Sequence, residues 1–270
     1  MTAWQSFFTS PNAQGAPPAG LFTLSHLLLF LATSLAVCVA LWLSRRMSPA
    51  GVRLTVRVST AVLWAMEIGK ILFVLLVTKS TNPNEFVPLY YCSLVLYAGL
   101  MSSLGKGVVR YVGDVFLATG SLVGGAVFLL FPTTSLLRYP AFHVMSLHSF
   151  LLHGWMVYLA LLLLLRGVYR PRPRDLFPCA LLVSAVSLSA LVFNLIYDRF
   201  AAEPVANLMF LSKDFPGTPL SLLYHLCGPF FTPVMWLVQA FAPFFLVLSG
   251  YVLARGERGW RTPTGKHTVS

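Results

Sequence analysis

Seven long apolar runs dominate this chain of 270 residues and limit the folds that it can adopt. A helix needs about 20 mostly apolar residues to cross the hydrocarbon layer of a membrane. Charged residues make up only 10% of the sequence, whereas a soluble domain carries about 25%. The sequence therefore predicts an all-α fold, a polytopic membrane helical bundle with seven transmembrane helices. The predicted segments lie near residues 21–44, 54–78, 87–104, 112–132, 142–165, 177–197 and 229–254.

Basic residues indicate how the predicted bundle is oriented, because lysine and arginine stay preferentially in cytoplasmic loops. The linkers after the odd-numbered segments, together with the end of the chain, hold 14 of the 19 basic residues, and the other linkers hold four. We therefore predict an amino terminus outside and a carboxyl terminus in the cytoplasm. The alternation also supports the number of segments, because an error of one helix would scramble it. Residues 1–254 are predicted to form one transmembrane domain, and 255–270 a flexible basic cytoplasmic tail.

The net charge of +11 has this topological explanation, so it does not indicate nucleic-acid binding. The four cysteines lie far apart and form no CxxC pair, which argues against a zinc or redox motif. We therefore expect no metal and no cofactor. The sequence leaves the oligomeric state open.

Ionisable and thiol side chains inside the apolar segments are functional candidates, because such groups are rare and unfavourable at membrane depth. Structural alternatives stay open for some of them. Glu67 and Lys70 are spaced i, i+3 and can pair with each other, and Asp114 can favour the amino terminus of the fourth segment. Cys92 can form a disulfide with Cys227 on the same predicted side of the membrane. The candidates are His26, Glu67, Lys70, Cys92, Asp114, His148 and His153.

The fifth segment distinguishes its two histidines by their direction. On a helix, Ser146, Ser149 and His153 share one narrow face, and His148 points about 140° away from His153. A cysteine must become a thiolate before it attacks a carbonyl, and a nearby imidazole can take that proton and later return it. Cys92 and His153 are therefore predicted as an acyl-transfer pair. Which of the two histidines faces Cys92 stays open.

Other functions of seven-helix membrane proteins leave different signatures. A retinal protein needs a Schiff-base lysine in its last helix, and residues 229–254 contain none. A transporter with internal repeats would show paired, broken helices in two similar halves, and no second half matches here. The alternative function is a non-enzymatic transporter or a lipid- or ion-binding protein, with Glu67, Lys70 and the histidines along a polar intramembrane passage. A structural or assembly factor is a third hypothesis.

Four local patterns, in order along the chain, resemble the YwaF-type bacterial membrane proteins and the related eukaryotic transmembrane protein 164 family. The first two are LFTLSHLLLFL, which contains His26, and VPLYYCSLVLY, which contains Cys92. The other two are LHSFLLHGWMVYLAL, which contains His153, and NLMFLSKDFPGTPLSLLYHLCGPF, which begins at Asn207. The second pattern departs from the family at Tyr90, where many bacterial relatives have histidine.

The eukaryotic relatives are described as cysteine acyltransferases that move fatty acyl chains between phospholipids. The resemblance implies a membrane-embedded lipid acyltransferase or transacylase in which Cys92 forms an acyl thioester and His153 is the general base and acid. It implies membrane phospholipids as partners and a bacterial cytoplasmic membrane as the location. If the family histidine aids catalysis, Tyr90 implies altered or absent activity. The supporting residues predicted are His26, His148, Tyr90, Glu67, Lys70 and Asn207.

Overall fold

The structure is a computed structural model that describes residues 7, 8 and 17–255, and its secondary structure over those residues is entirely helical. The all-α prediction is therefore confirmed. The predicted tail lies outside the described residues beyond Arg255. Single-turn helices at Pro83–Phe86 and Thr133–Leu136 lie in linkers. The longer helices are α1 Leu24–Leu43, α2 Pro49–Leu72, α3 Leu94–Leu104, α4 Gly107–Ala118, α5 Gly120–Leu130, α6 Val144–Leu165, α7 Leu176–Phe200, α8 Pro219–Cys227 and α9 Phe231–Arg255.

Six stretches of the described chain are long and apolar enough to cross a membrane, as a helical integral membrane protein requires. The third predicted segment, 87–104, forms only the 11-residue helix α3. At about 1.5 Å per residue, such a helix is too short to cross the hydrocarbon layer by itself. The seventh crossing and the orientation of the termini therefore stay predictions. The six stretches are Leu24–Arg46, Pro49–Thr78, Gly107–Leu130, Val144–Leu165, Pro173–Phe200 and Pro219–Ala254.

Helix α2 begins earlier than the predicted segment 54–78, because the chain supplies a capping signal at Ser48. The Ser48 hydroxyl accepts a hydrogen bond of 3.2 Å from the Gly51 N–H, and Pro49 occupies the first turn. Proline suits that position because its missing N–H needs no partner there. Consequently Arg53, which precedes the predicted segment 54–78, belongs to the helix together with Arg57.

The fourth predicted segment is broken into α4 and α5 at Thr119, where the backbone has φ −116° and ψ −70°. The Thr119 hydroxyl donates to the Val115 carbonyl at 2.6 Å, a bond back to the preceding turn that often accompanies a bend. After the break, the Phe116 ring packs on Gly120 so closely that a Cβ there would come within 2.4 Å of it. Segment 112–132 is therefore two helices with a corner.

The centre of the bundle is formed by α6 and the short helix α3. Helix α6 packs against α1, α2, α4 and α5, and α3 lies between α2 and α4. A Cβ at Gly113 of α4 would come within 2.5 Å of the Ala98 carbonyl oxygen of α3. Small residues that let helix backbones approach are typical of membrane interfaces. This close contact holds the middle and the carboxyl-terminal half of α3 against α4.

The linker 198–228 between the last two long predicted segments is polar in part, but it contains a buried apolar turn. Residues Leu208–Phe210 form a tight turn, in which Leu208 and Met209 are fully buried. Met209 and Phe210 both adopt positive φ angles, 57° and 51°, which are unfavourable for residues other than glycine. The Gln239 side chain of α9 donates to the Met209 carbonyl at 2.8 Å and holds the turn in place. The linker thus returns into the bundle.

Two structural alternatives from the sequence are corrected by the contacts. Asp114 lies in the second half of α4 and not at its amino terminus. Its carboxylate accepts two hydrogen bonds from the Arg53 guanidinium of α2, at 2.6 and 2.7 Å. Cys92 and Cys227 are both free thiols, so they form no disulfide.

Candidate functional site

Two faces of α6 present its histidines to different helices, as the helical periodicity predicts. His148 faces α2, where its Nε2 atom lies 3.8 Å from Glu67 Oε2. His153 faces α5 and stacks on the Phe128 ring, with a centroid separation of 3.6 Å and an interplanar angle of 11°. The prediction that the two rings diverge is therefore confirmed.

Glu67 and Lys70 form an ion pair inside the bundle, as their i, i+3 spacing allowed. Lys70 Nζ lies 2.6 Å from Glu67 Oε1, and Glu67 is only 1% exposed. A carboxylate buried to this degree is retained only where a partner compensates its charge. The second oxygen of Glu67 is the atom that faces His148. The three side chains therefore form one polar group between α2 and α6.

Cys92 lies in the turn immediately before α3, and not within the helix as the sequence prediction had it. Pro88 precedes Cys92 by a few residues and has no N–H that could donate to a helix. The Pro88 carbonyl accepts a hydrogen bond of 3.0 Å from the Tyr97 hydroxyl. The charges of Lys70 and Glu67 both act on the thiol. The cation and the helix amino terminus favour the thiolate, whereas burial and the Glu67 carboxylate oppose it.

His153 is held in one tautomer by its contacts. Its Nδ1 atom lies 2.7 Å from the Ser149 carbonyl oxygen, one turn earlier in α6. A carbonyl only accepts, so Nδ1 carries the hydrogen and Nε2 carries the lone pair. His153 is 5% exposed, and stacking on Phe128 fixes the plane of its ring. These contacts hold His153 in the orientation and tautomer that a base requires. The ring also interacts electrostatically with His148.

His26 uses both ring nitrogens in contacts within the protein. Nε2 lies 3.0 Å from the Leu129 carbonyl of α5, and Nδ1 accepts a hydrogen bond of 3.1 Å from the Phe22 N–H. These contacts fix the start of α1 against the end of α5. An apolar groove of about 320 Å³, lined by residues that include Phe30, opens beside the ring. The hydrogen bonds of His26 are thus made to the backbone, and its ring also meets Phe150 of α6 at a centroid distance of 6.3 Å.

Tyr90 and Asn207, predicted separately as supporting residues, meet at a third residue that the sequence analysis missed. Asn84 Oδ1 accepts from the Tyr90 hydroxyl at 3.1 Å and from the Asn207 N–H at 2.8 Å. The Tyr90 ring also packs on Phe210, with centroids 5.1 Å apart. Tyr90 therefore connects the turn that carries Cys92 to the returning linker.

Asn194 of α7 is a second residue that the sequence analysis missed. Its amide accepts from the Leu208 N–H at 2.9 Å and donates to the Leu208 carbonyl and the Ser212 hydroxyl at 3.1 and 2.9 Å. An asparagine inside the predicted segment 177–197 was a signal that could have identified it, because polar groups at membrane depth need partners. Asn84 offered no such signal, since it lies in a polar linker.

No group of three or more histidine, cysteine, aspartate and glutamate side chains is arranged to hold a metal ion within residues 7, 8 and 17–255.

The sequence model of the TMEM164 family matches residues 21–253, which include all the predicted site residues. The chain belongs to the TMEM164 family. The resemblance to the transmembrane protein 164 proteins is therefore confirmed, and with it an integral membrane protein of this family. Neither curated proteins nor solved structures gave a match.

Proposed function

We propose that this TMEM164-family protein is a membrane-embedded lipid acyltransferase or transacylase, with Cys92 as nucleophile and His153 as general base. The observation that carries the proposal is the position of Cys92. Its thiol lies at the amino-terminal end of a short buried helix, under the electrostatic influence of Lys70 and Glu67. Burial of the thiol opposes its ionisation, so its attack on an ester requires a base that takes the proton, the role proposed for His153.

The first half of the reaction would transfer an acyl chain to the protein. His153 Nε2 takes the proton of the Cys92 thiol, and the thiolate attacks the ester carbonyl carbon of a lipid. The ester C–O bond breaks, and the departing oxygen takes the proton back from the imidazolium. Lys70 supplies positive charge near the sulfur, where it favours the thiolate and the negative charge that develops in the transition state. The product is an acyl thioester on Cys92 and a lysolipid.

The substrates would be phospholipids, because a nucleophile at this depth meets acyl esters and little else. Large apolar side chains on the outer faces of the helices, such as Leu28 and Leu35 of α1, suit contact with lipid tails. The open groove beside His26 offers an acyl chain further apolar surface. A bacterial cytoplasmic membrane is the proposed location.

We also propose seven membrane crossings with the amino terminus outside. Helix α3 is short, but residues 87–93 precede it as non-helical chain packed against the core, which extends the crossing. Non-helical backbone is tolerated at membrane depth where it is buried in protein. The alternation of basic residues between linkers supports the orientation. Labelling of single cysteines introduced at Ser80 and Arg170 with an impermeant reagent, in intact cells, tests it: only the first should react.

The acyl-transfer proposal is tested with purified protein in phospholipid vesicles that contain one labelled acyl chain. Transfer of the label to lysolipid should disappear in Cys92→Ala and fall about 10²- to 10⁴-fold in His153→Gln. Cys227→Ala is the matched control, since Cys227 is another half-buried free thiol, and it should transfer at the wild-type rate. Unchanged transfer in Cys92→Ala would remove this mechanism.

A polar passage is the second candidate function, and the Glu67–Lys70–His148 group between α2 and α6 is the observation that favours it. Flux of small ions in proteoliposomes distinguishes it from the enzyme. Flux that depends on Glu67 but persists in Cys92→Ala, without any acyl transfer, would favour the passage.

A further inference from the structure

The contact between His148 and Glu67 is unused by the mechanism above. Their facing atoms, Nε2 and Oε2, lie 3.8 Å apart, which is too far for a direct hydrogen bond. Within the described residues, His148 Nε2 has no hydrogen-bond partner, although the atom is buried. A buried polar atom without a partner is unfavourable and calls for an explanation.

The tautomer of His148 follows from its other nitrogen. The Met66 backbone interacts with the ring, and since Nε2 has no partner, Nδ1 is the nitrogen that faces it. Met66 lies inside α2, where its N–H is engaged by the helix, so its carbonyl is the available group. Nδ1 therefore donates, and Nε2 presents a lone pair toward a carboxylate oxygen. His148 Nε2 and Glu67 Oε2 are thus two hydrogen-bond acceptors that face each other, so a hydrogen-bond donor is needed between or beside them.

A hydroxyl group fits this arrangement. An oxygen placed beside the line that joins Nε2 to Oε2, at about 2.8 Å from the nitrogen, donates its hydrogen to His148. When a proton moves to His148, the positive charge forms next to the Glu67 carboxylate, which stabilises it. Lys70 pairs with the other Glu67 oxygen, and the charges of this pair also act on Cys92.

We propose that His148 and Glu67 form the subsite for the acyl acceptor, in which His148 Nε2 takes the proton of a lipid or water hydroxyl. This inference rests on the proposed function. The acceptor oxygen attacks the carbonyl carbon of the Cys92 thioester, and its proton passes to His148 Nε2. The C–S bond breaks, the electron pair leaves with the Cys92 sulfur, and an ester or a free acid forms. The thiolate then recovers the proton from the imidazolium. Acylation and deacylation would therefore use different histidines of α6.

The test separates the two half-reactions on the full-length protein in vesicles. Protein is loaded with labelled phospholipid, acyl-Cys92 is measured by rapid quench, and lysophospholipid is then added to measure loss of the thioester. His148→Gln should form acyl-Cys92 within about threefold of the wild-type rate but release it about 10²- to 10⁴-fold more slowly. His153→Gln should show the opposite pattern, and Glu67→Gln should slow release and spare acylation. Formation of the thioester in His148→Gln and Glu67→Gln also shows that these two variants are folded.

The outcomes distinguish this inference from the proposed function. If wild-type protein forms no acyl-Cys92, the proposed function fails. If acyl-Cys92 forms and His148→Gln releases it at the wild-type rate, or slows both steps equally, only the acceptor subsite is overturned. A second experiment, in which no lysophospholipid is added, identifies the source of the hydroxyl. If acyl-Cys92 is still released rapidly, and this release is lost in His148→Gln, the subsite binds water. If release requires lysophospholipid, the subsite binds the lipid alcohol.

Discussion

The ion pair between Arg53 and Asp114 should make a large contribution to the stability of the bundle. Both terminal nitrogens of Arg53 donate to the two carboxylate oxygens, at 2.6 and 2.7 Å, and Ser102 of α3 donates to one of them at 2.6 Å. Asp114 is 6% exposed, so Asp114→Asn leaves the guanidinium without its countercharge in a largely dry place. Removing one partner of a buried pair reduces stability by about 3–5 kcal/mol.

The expected loss is somewhat smaller, because the Arg53 side chain is 29% exposed and water reaches part of its charge. We expect Asp114→Asn to lower the free energy of unfolding by about 2–3 kcal/mol. The assay is unfolding in mixed micelles with an increasing fraction of denaturing detergent, for Asp114→Asn, Arg53→Gln and the double variant. Their coupling energy should be about 1–3 kcal/mol.

Arg57→Gln is the matched control for this cycle. Arg57 also lies on α2, but its Nε atom donates only to the Ser103 carbonyl at 3.2 Å. Its substitution should reduce stability by no more than about 1.5 kcal/mol, the net value of an ordinary hydrogen bond. If the effects of Asp114→Asn and Arg53→Gln on the free energy of unfolding simply add, the two charges do not stabilise one another. The contact of α2 with α3 and α4 would then not depend on this ion pair.

Two further predictions concern packing and the returning linker. Gly113→Ala should reduce unfolding free energy by about 1–3 kcal/mol, because its Cβ meets α3 backbone, whereas Gly69→Ala has open space and should not destabilise. A tolerated Gly113→Ala would mean that α3 and α4 can separate. Asn194→Ala should lower the free energy of unfolding by about 3 kcal/mol, because the N–H and the carbonyl of Leu208 both lose a buried hydrogen-bond partner. Ser189→Ala, on the exposed face of the same helix, should change stability by less than about 0.5 kcal/mol; equal effects would contradict the role of Asn194.

Local sequence patterns predicted the features of the fold that depend on periodicity and apolar length. The 3.6-residue period separates His148 from His153, and their contacts with Glu67 and Phe128 lie on the expected sides. The i, i+3 spacing anticipated the pair of Glu67 and Lys70 for the same reason. These features are decided within one or two helical turns, so no tertiary information is needed.

Contacts between distant parts of the chain were not accessible in this way. Asp114 was assigned a local role because its partner, Arg53, lies 61 residues away in the sequence. The return of the linker at Leu208 depends on polar groups of α7 and α9, which no local pattern connects to it. The proline before Cys92 was present in the sequence, but only packing decides that the helix begins after the cysteine.

The central claim is that Cys92 carries the acyl chain, and peptide mass spectrometry tests it most directly. Protein incubated with labelled phospholipid is quenched in acid, digested and analysed with and without neutral hydroxylamine, which cleaves thioesters. The account predicts one acyl group on the peptide that contains Cys92, sensitive to hydroxylamine and more abundant in His148→Gln. The peptide that contains Cys227 should remain unmodified. Transfer of label to lysolipid with no acyl group on Cys92 at any time during turnover would contradict the account.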